Sequence, residues 1–444
     1  MKAVSWLVAA VTTSCGRRRA SAESSTKAFV RSPTAPRFSS APTPTSSPLH
    51  HFSAASLCSR CSSTCALRYS GAMLMSTTAG AGGGESWCGH ELLNTVTTEW
   101  VEDHLGDPQV AVVDIRGRVI KQRDEGSDFF STAYEGLQAD YLDAHIPGAV
   151  FVDWTKDIAY TDDNGIPAQL ADRESFVNAM EERGVGEKKR VVVYDNGEML
   201  FATRFWWAMR RFGHDRVSVM DGGWAKWQAE RRSITPDCPC PLKVFTEWDI
   251  PPDRERPGLV ASAANVRASL AAASTAEGAG AAASKGEGGS GDEGNAREGI
   301  SSPVQLLDAR AAAQFTGEVR RARRGGRIPG AVNTPYRDFL TEGTAGPDGE
   351  VYRVFKDLSG IKQVFKSAPV DVTPSAAPII AYCNGGVAST VALFLLFQLR
   401  QLEKEGGGGA DDGEMDAGLG AGSWANYDGS WNEWGNDESA PIET

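Results

Sequence analysis

Long hydrophobic runs are missing from this chain of 444 residues. No stretch approaches the roughly 18 consecutive apolar residues that a membrane-spanning helix requires, so we expect no spanning segment and no membrane partner. Net positive charge is missing as well, because the formal net charge is −12 at pH 7. An acidic chain lacks the basic surface that binds nucleic acid, and we therefore expect no nucleic-acid partner.

Cysteine is scarce in the part of the chain that we expect to fold. Seven of the eight cysteines lie in the N-terminal segment or near predicted domain edges: Cys15, Cys58, Cys61, Cys65, Cys88, Cys238 and Cys240. The folded part thus lacks a disulfide framework and fits a reducing compartment. The spacing of Cys58, Cys61 and Cys65 suits zinc but lacks a second ligand pair, so we expect no metal and no cofactor.

Acidic residues are nearly absent from the first 84 residues. This segment contains nine Lys or Arg and the single acid Glu23, among many Ser, Thr, Ala and Pro. The composition predicts that residues 1–84 are a transit peptide, or a disordered leader, with a mitochondrial destination and a plastid as the alternative. Its formal charge of +8 leaves −20 on the rest of the chain.

Four short segments occur twice along the chain, in the same order. The paired segments are 112–116 with 306–310, 145–150 with 327–332, 192–197 with 380–385, and 220–224 with 427–431. One repetition at so long a period indicates a duplicated domain and not a solenoid. Helix and strand patterns alternate within each copy, which predicts two α/β domains, each with a central parallel sheet flanked by helices.

The duplication sets the predicted domain boundaries. We expect the N-terminal domain at 90–250 and the C-terminal domain at 303–444. Residues 261–302 are rich in Ala, Gly, Ser and Glu and have almost no large apolar side chain, which predicts an unfolded linker. Residues 403–422 have a similar composition and are expected to be a disordered insertion within the second domain.

One stretch of the second copy carries reactive chemistry. Residues 378–382 have the pattern of a buried strand, Cys383 begins a glycine-containing loop, and a helix is expected from about Thr390 to Leu402. Such a turn directs several N–H groups and the positive end of the helix dipole at one point. That field stabilises a thiolate, so Cys383 is the candidate nucleophile. Asp195 matches it in the first copy, which we therefore expect to be a scaffold that shapes one wall of the cleft.

Other repeated residues have structural explanations. Asp-x-Arg after a strand predicts a buried salt bridge in each copy, Asp114 with Arg116 and Asp308 with Arg310. His145 precedes the first Ile-Pro-Gly-Ala segment and is a candidate proton relay, with a structural role as the alternative.

Together these motifs resemble the tandem-rhodanese sulfurtransferases, the family of thiosulfate and 3-mercaptopyruvate sulfurtransferases. The likeness rests on Ile-Pro-Gly-Ala in both copies, Asp-Gly-Gly-Trp-x-x-Trp at 221–227 and Tyr-Asp-Gly-Ser-Trp-x-Glu-Trp at 427–434. It implies that Cys383 takes a sulfane sulfur from a small donor and holds it as a persulfide. The acceptor implied is cyanide or a thiol, either a small thiol or a protein such as thioredoxin.

The resemblance also implies which residues bind the donor. The loop after the cysteine is expected to contribute Asn384, Gly385, Gly386, Val387, Ala388 and Ser389. Two arginines that grip a carboxylate in the mercaptopyruvate type correspond here to Gln314 and Arg323, with Arg320, Arg321 and Arg324 close in sequence. The loop lacks both the cations of the thiosulfate type and the hydroxyl of the mercaptopyruvate type. We expect 3-mercaptopyruvate to be preferred over thiosulfate.

Two alternative functions use a similar loop. Phosphatases need an arginine six positions after the cysteine to bind a phosphoryl group, and that position is Ser389, which argues against phosphatase activity. The other alternative is a non-catalytic binding or sulfur-carrier module of the same fold. A mass gain of one sulfur on Cys383 distinguishes an enzyme from such a module.

Overall fold

A computed structural model describes residues 92–123, 126, 129–237, 246–282, 304–347, 349, 351–373, 375–407 and 423–444. The predicted leader at 1–84, the cysteines other than Cys383, residues 283–302 of the predicted linker and residues 408–422 of the predicted insertion lie outside this range.

Five parallel strands form the sheet of the first domain. The elements in chain order are β1 (Thr95–Val96), α1 (Thr98–Asp103), β2 (Val110–Asp114), β3 (Gly117–Arg123), β4 (Phe130–Gly136), α2 (Gln138–Asp143), β5 (Val150–Phe151), β6 (Ala159–Tyr160), β7 (Gln169–Leu170), α3 (Arg173–Glu181), β8 (Arg190–Tyr194), α4 (Leu200–Arg211), β9 (Val217–Met220) and α5 (Gly223–Ala229). The order across the sheet is β1-β9-β8-β2-β5. Strands β3 and β4 form a separate antiparallel hairpin, and β6 pairs with β7.

The second domain has the same sheet order. Its elements are β10 (Val260–Ala261), α6 (Ala263–Ala282), β11 (Gln305–Asp308), α7 (Ala312–Phe315), β12 (Val332–Asn333), β13 (Thr344–Ala345), β14 (Val351–Tyr352), α8 (Leu358–Ser367), β15 (Ile379–Tyr382), α9 (Ser389–Gly407), β16 (Trp424–Tyr427) and α10 (Ser430–Trp434). The parallel sheet runs β10-β16-β15-β11-β12 and matches the first strand for strand. The predicted duplication of an α/β domain with a central parallel sheet is confirmed.

The central strands are apolar because helices cover both faces of each sheet. All four residues of β15 are buried, and β8 is buried from Val191 to Tyr194. Acidic caps start two of the covering helices. Asp172 accepts the Ser175 N–H at 2.9 Å before α3, and Asp357 accepts the Gly360 N–H at 2.7 Å before α8. These caps satisfy backbone donors that the first helical turn leaves free.

Helices α4 and α9 join the two domains. The ring of Trp206 in α4 lies 4.9 Å from Phe394 and 5.3 Å from Phe397 in α9, centroid to centroid. Beside them, the Thr203 and Thr390 hydroxyl oxygens are 2.9 Å apart. The apolar residues belong to one buried cluster that draws on both sheets, so the domains share a core.

The prediction that residues 261–302 form an unfolded linker is wrong for their first part. Strand β10 pairs with β16 in the second sheet, and α6 continues to Ala282. Val266 of this helix is fully buried. A composition rich in alanine suits a helix that buries a narrow apolar stripe, so the scarcity of large apolar residues did not exclude folding here.

The helix after Cys383 is also longer than predicted. It extends past Leu402 to Gly407 and so includes the start of the predicted insertion at 403–422. None of the helices in the described part of the chain combines the length and the apolar character needed to cross a membrane.

Candidate active site

Cys383 follows β15, in the middle of the second sheet, where the carboxyl ends of the parallel strands meet. Its side chain is a free thiol and only 3% exposed. It lines a cavity of about 530 Å³ to which both domains contribute side chains. The first domain therefore forms part of the wall around the cysteine, as predicted.

A segment following β16 holds the cysteine loop in place. The Ser430 hydroxyl accepts the N–H groups of Cys383 at 3.1 Å and Gly386 at 3.0 Å, and donates to the Tyr427 carbonyl at 2.6 Å. The carbonyl of Cys383 accepts the Trp431 N–H at 3.0 Å. The Tyr-Asp-Gly-Ser-Trp motif thus fixes the geometry of the reactive loop.

The matching loop of the first domain binds its own carboxylate. Asp195 accepts backbone N–H groups from Gly197 at 2.8 Å, Met199 at 3.2 Å, Phe201 at 3.0 Å and Ala202 at 3.3 Å. Burial raises the pKa of Asp195, although these four donors oppose the shift. Strand, loop and helix start therefore form a binding place for negative charge that an aspartate already fills.

The Cys383 loop keeps the corresponding donors available. By position after the cysteine, Gly385, Val387 and Ser389 match three of the four donors to Asp195. Their N–H groups have no hydrogen-bond partner among the described residues. Backbone donors that converge without a partner stabilise an anion formed beside them, such as a thiolate or a persulfide.

Ser389 lies on the buried side of Cys383. Its Oγ is 3.7 Å from the Cys383 Sγ and 2.6 Å from the Asn426 Oδ1, and it is fully buried. Asn426 is held by the Gly386 carbonyl, which accepts its Nδ2–H at 2.9 Å. Asn426 was missed from sequence, although a polar residue within the buried strand β16 is a usable signal.

A buried ion pair crosses from the first domain to the cysteine loop. Arg204 of α4 pairs with Asp428, and the two side chains are 0% and 7% exposed. The same guanidinium donates to the Gly386 carbonyl at 3.1 Å and to the Ala168 carbonyl at 2.9 Å. Gly386 has φ of +70°, and a Cβ there would lie 2.7 Å from the Asp428 Oδ1. Arg204 therefore helps to hold the loop that carries Cys383.

Of the two residues predicted to grip a carboxylate, only Gln314 lines the cavity. Its Oε1 accepts the Asn384 Nδ2–H at 3.2 Å. Arg323 is exposed, and its backbone N–H donates to Asn436 at 2.9 Å. Among Arg320, Arg321, Arg323 and Arg324, it is Arg321 that lines the cavity, and its Nε and Nη1 are buried without a hydrogen-bond partner among the described residues. Burial lowers the pKa of Arg321, but the guanidinium stays charged.

His145 does not line the cavity that holds Cys383. It is fully buried within the first domain, where its ring stacks on Tyr141 at 3.9 Å. Its Nδ1 is 2.6 Å from the Tyr141 carbonyl and so carries the proton. The prediction of a proton relay is wrong because the histidine packs into the core of its own domain, and the structural alternative describes it.

The predicted salt bridges are confirmed in both copies. Arg116 contacts the Asp114 carboxylate through Nη2 at 2.8 Å, and Arg310 contacts Asp308 through Nε at 2.9 Å. Arg310 also lies 4.3 Å above the ring of Trp431. These pairs brace the loops after β2 and β11.

The cavity carries more positive than negative side chains. Its charged lining residues are Arg118, Lys121, Asp195, Glu198, Arg310, Arg321 and Arg337. Glu198 is bound by Arg337 at 2.6 Å and by the Tyr336 hydroxyl at 2.8 Å. A basic cavity in a chain of formal charge −12 favours an anionic ligand.

A buried cysteine lies in the second of two duplicated parallel α/β domains, at the start of a loop whose N–H groups at Gly385, Val387 and Ser389 have no partner among the described residues. These features define a two-domain protein with a candidate nucleophile beside a basic cavity. The rhodanese-like domain family matches this chain twice, at residues 97–230 and 294–437. The chain belongs to that family, with one domain in each half.

Several known proteins are similar over most of the chain. The 3-mercaptopyruvate sulfurtransferase of Escherichia coli strain K12 is 28% identical over 78% of this chain and 97% of its own. A Mycobacterium bovis protein with a provisional thiosulfate sulfurtransferase name is 25% identical over 78% of this chain and 96% of its own. An Escherichia coli crystal structure described as a 3-mercaptopyruvate sulfotransferase has a TM-score of 0.51 and 27% identity, covering 76% of this chain and 98% of that one.

Proposed function

We propose that this protein is a sulfurtransferase that uses 3-mercaptopyruvate in preference to thiosulfate and carries the sulfur on Cys383. The observation that carries the proposal is the pair of loops. One holds an aspartate by four N–H groups, and the other presents a cysteine to donors that have no partner among the described residues. The relatives that bear sulfurtransferase names support this class of activity.

The transfer proceeds in two halves. The Cys383 thiolate attacks the donor sulfur, the carbon–sulfur bond of 3-mercaptopyruvate breaks, and its electron pair remains on carbon as the enolate of pyruvate. A proton taken up at that carbon gives pyruvate, and Cys383 is left as a persulfide. A thiolate acceptor then attacks the outer sulfur, which breaks the sulfur–sulfur bond and returns the Cys383 thiolate. A covalent intermediate of this kind predicts ping-pong kinetics.

Arg321 supports the choice of a carboxylate donor. A guanidinium pairs with a carboxylate through parallel charge-assisted hydrogen bonds. The buried Nε and Nη1 of Arg321 have no hydrogen-bond partner in the part of the chain that the structure describes, so they can form such bonds. Each such bond contributes about 1.5–3 kcal/mol, so Arg321→Ala should raise the KM for 3-mercaptopyruvate about 10- to 100-fold. Arg323→Ala is the matched control and should change it little. The reverse order of effects would contradict our assignment of the carboxylate site.

Mass spectrometry tests the reaction itself. After incubation with 3-mercaptopyruvate, the peptide that contains Cys383 should gain the mass of one sulfur and lose it on addition of a small thiol. Cys383→Ser should abolish both changes, whereas Cys88→Ser should preserve them. If the mass of the wild-type peptide changes neither with the donor nor with the thiol, the result would favour the non-catalytic binding module. Replacing the small thiol with thioredoxin tests whether a protein thiol also accepts the sulfur.

We also propose that residues 1–84 direct the protein to mitochondria, with a plastid as the alternative. The support is their composition of nine basic residues and one acid. A fluorescent protein fused after residue 84 should reach the organelle, and a fusion that begins at residue 85 should not. Equal distribution of the two fusions would contradict the proposal.

A further inference from the structure

Strand β3 of the first domain forms one side of the cavity that holds Cys383. The residues of this strand that line the cavity are Gly117, Arg118, Val119 and Lys121. The start of β3 is fixed, because the Gly117 N–H donates to the Asn196 Oδ1 at 3.0 Å. From there β3 pairs with β4 along its whole length. The backbone of the strand is therefore held in place beside the cavity.

The other end of the β3–β4 hairpin rests on the second domain. The Phe130 N–H donates to the Arg320 carbonyl at 3.5 Å, and the Arg320 guanidinium carbon lies 5.9 Å from the centre of the Phe129 ring. At the start of the hairpin, the fully buried Trp154 occupies the place that a side chain at Gly117 would take. The hairpin is thus anchored at both ends and connects the two domains next to the reactive cysteine.

Most of the charged side chains that line the cavity are already paired. The paired groups are Arg118 with Glu135, Arg310 with Asp308, Arg337 with Glu198, and Asp195 with the N–H groups of its own loop. The ammonium group of Lys121 has no ion-pair partner among the described residues. The Nε and Nη1 of Arg321 likewise lack a hydrogen-bond partner there. Each domain therefore contributes one uncompensated cation to the same cavity.

The proposed donor accounts for only one of these two cations. 3-Mercaptopyruvate is a small monocarboxylate, and its carboxylate is assigned to Arg321. The cavity has a volume of about 530 Å³, which is in the range of pockets that bury a drug-sized ligand. Beside Lys121, on the same face of β3, lies Val119, which is 44% exposed. The β3 side of the cavity thus offers an apolar contact and a cation to a second anionic ligand that is larger than the donor.

We infer that this side of the cavity binds the sulfur acceptor, and that the acceptor is an acidic peptide thiol. Its carboxylate pairs with Lys121, and its carbon chain lies on Val119. The inference rests on the proposed sulfur transfer through Cys383. The acceptor thiolate takes the outer sulfur and leaves as a persulfide, while Cys383 returns as the thiolate. Donor and acceptor then use separate cations, Arg321 in the second domain and Lys121 in the first.

Steady-state kinetics test this separation, because a ping-pong enzyme has a KM for the donor and another for the acceptor. Glutathione is the acidic peptide thiol, and its diethyl ester is the same peptide without free carboxylates. Lys121→Gln should raise the KM for glutathione about 2- to 5-fold, as expected for one exposed charge pair. Lys121→Glu should raise it about 4- to 25-fold, because repulsion replaces attraction.

The same variants should have much smaller effects on the KM for the ester and on the KM for 3-mercaptopyruvate. Lys188→Glu is the matched control, because Lys188 is 88% exposed and does not line this cavity. A purely structural role of Lys121 would change the KM for glutathione and for its ester alike. That result, or a larger effect on the donor KM than on the glutathione KM, would overturn the inference.

Protection of Cys383 from alkylation tests binding without sulfur transfer. S-Methylglutathione cannot accept sulfur but keeps its carboxylates, so it should slow the alkylation of wild-type Cys383 by iodoacetamide. Lys121→Glu should require about 4- to 25-fold more of it for the same protection, and high salt should weaken the protection of the wild type. Equal protection in Lys121→Glu, or none in the wild type, would overturn the inference. Protection that depends on Lys121 in a protein that forms no persulfide would instead contradict the proposed function.

Discussion

Breaking the ion pair between Arg204 and Asp428 should destabilise the protein and disturb the reactive loop together. Both side chains are buried, and loss of one member leaves an uncompensated charge in the interior. Arg204→Met also removes the donors to the Gly386 and Ala168 carbonyls. We therefore expect each single variant, Arg204→Met or Asp428→Asn, to lower the free energy of unfolding by about 3–5 kcal/mol.

The double variant isolates the interaction between the two charges. With both charges removed, neither group is left buried and unpaired. The double variant should therefore lose less free energy of unfolding than the two single variants added together, by about 0.5–3 kcal/mol. Urea denaturation followed by tryptophan fluorescence measures this, because Trp206 and Trp424 stack at 5.9 Å across the domain junction. Lys188→Met, which breaks an exposed pair with Asp249, should cost only about 0.2–1 kcal/mol. Losses of stability that simply add in the double variant would refute a direct interaction between the two charges. Single variants that lose no more stability than Lys188→Met would refute the expected cost of an unpaired buried charge.

Three further predictions follow from other buried groups and from composition. His214 is almost fully buried, and burial is the main reason why its pKa is lowered to about 4. Below pH 6.5 the unfolded chain takes up a proton at this histidine and the folded protein does not, so the free energy of unfolding should fall by about 3 kcal/mol as the pH drops from 6.5 toward 4. The free energy of unfolding measured between pH 6.5 and pH 4 should depend less on pH in His214→Gln than in the wild type. The same pH dependence in both proteins would contradict the assignment of a lowered pKa to His214. Gly386→Ala should lower both stability and persulfide formation, because its φ is +70° and the Cβ meets Asp428, whereas normal activity would show that the loop tolerates the strain. Deletion of residues 276–298 should leave the melting temperature nearly unchanged, and a large decrease would mean that this segment packs against the domains.

The features that local sequence determines were predictable. The bounds of β8 and β9 agree with their patterns, since runs of Val between polar residues mark strands buried on both faces. Cys383 and its loop were found because strand, glycine turn and helix start are adjacent in the chain. The salt bridges after β2 and β11 were found for the same reason, because their partners are two residues apart.

The features that depend on how the two domains pack were not predictable. Arg204 and Asp428 are separated by 224 positions, and residues of β3 in the first domain line the cavity that holds Cys383 in the second. Counting positions from a motif selected Arg323 instead of Arg321, because the irregular segment between α7 and β12 does not present its arginines with a regular period. Alanine-rich composition likewise could not distinguish a linker from α6.

The way Asp195 is held bears on how a duplicated enzyme can lose one of its two sites. A loop that evolved to surround a thiolate leaves several buried donors unsatisfied if a neutral side chain replaces the cysteine, and each costs about 1–3 kcal/mol. An aspartate accepts the donors from Gly197, Met199, Phe201 and Ala202, so the replacement is structurally inexpensive. An aspartate in place of the cysteine therefore removes the nucleophile from the first copy and keeps the fold of its loop.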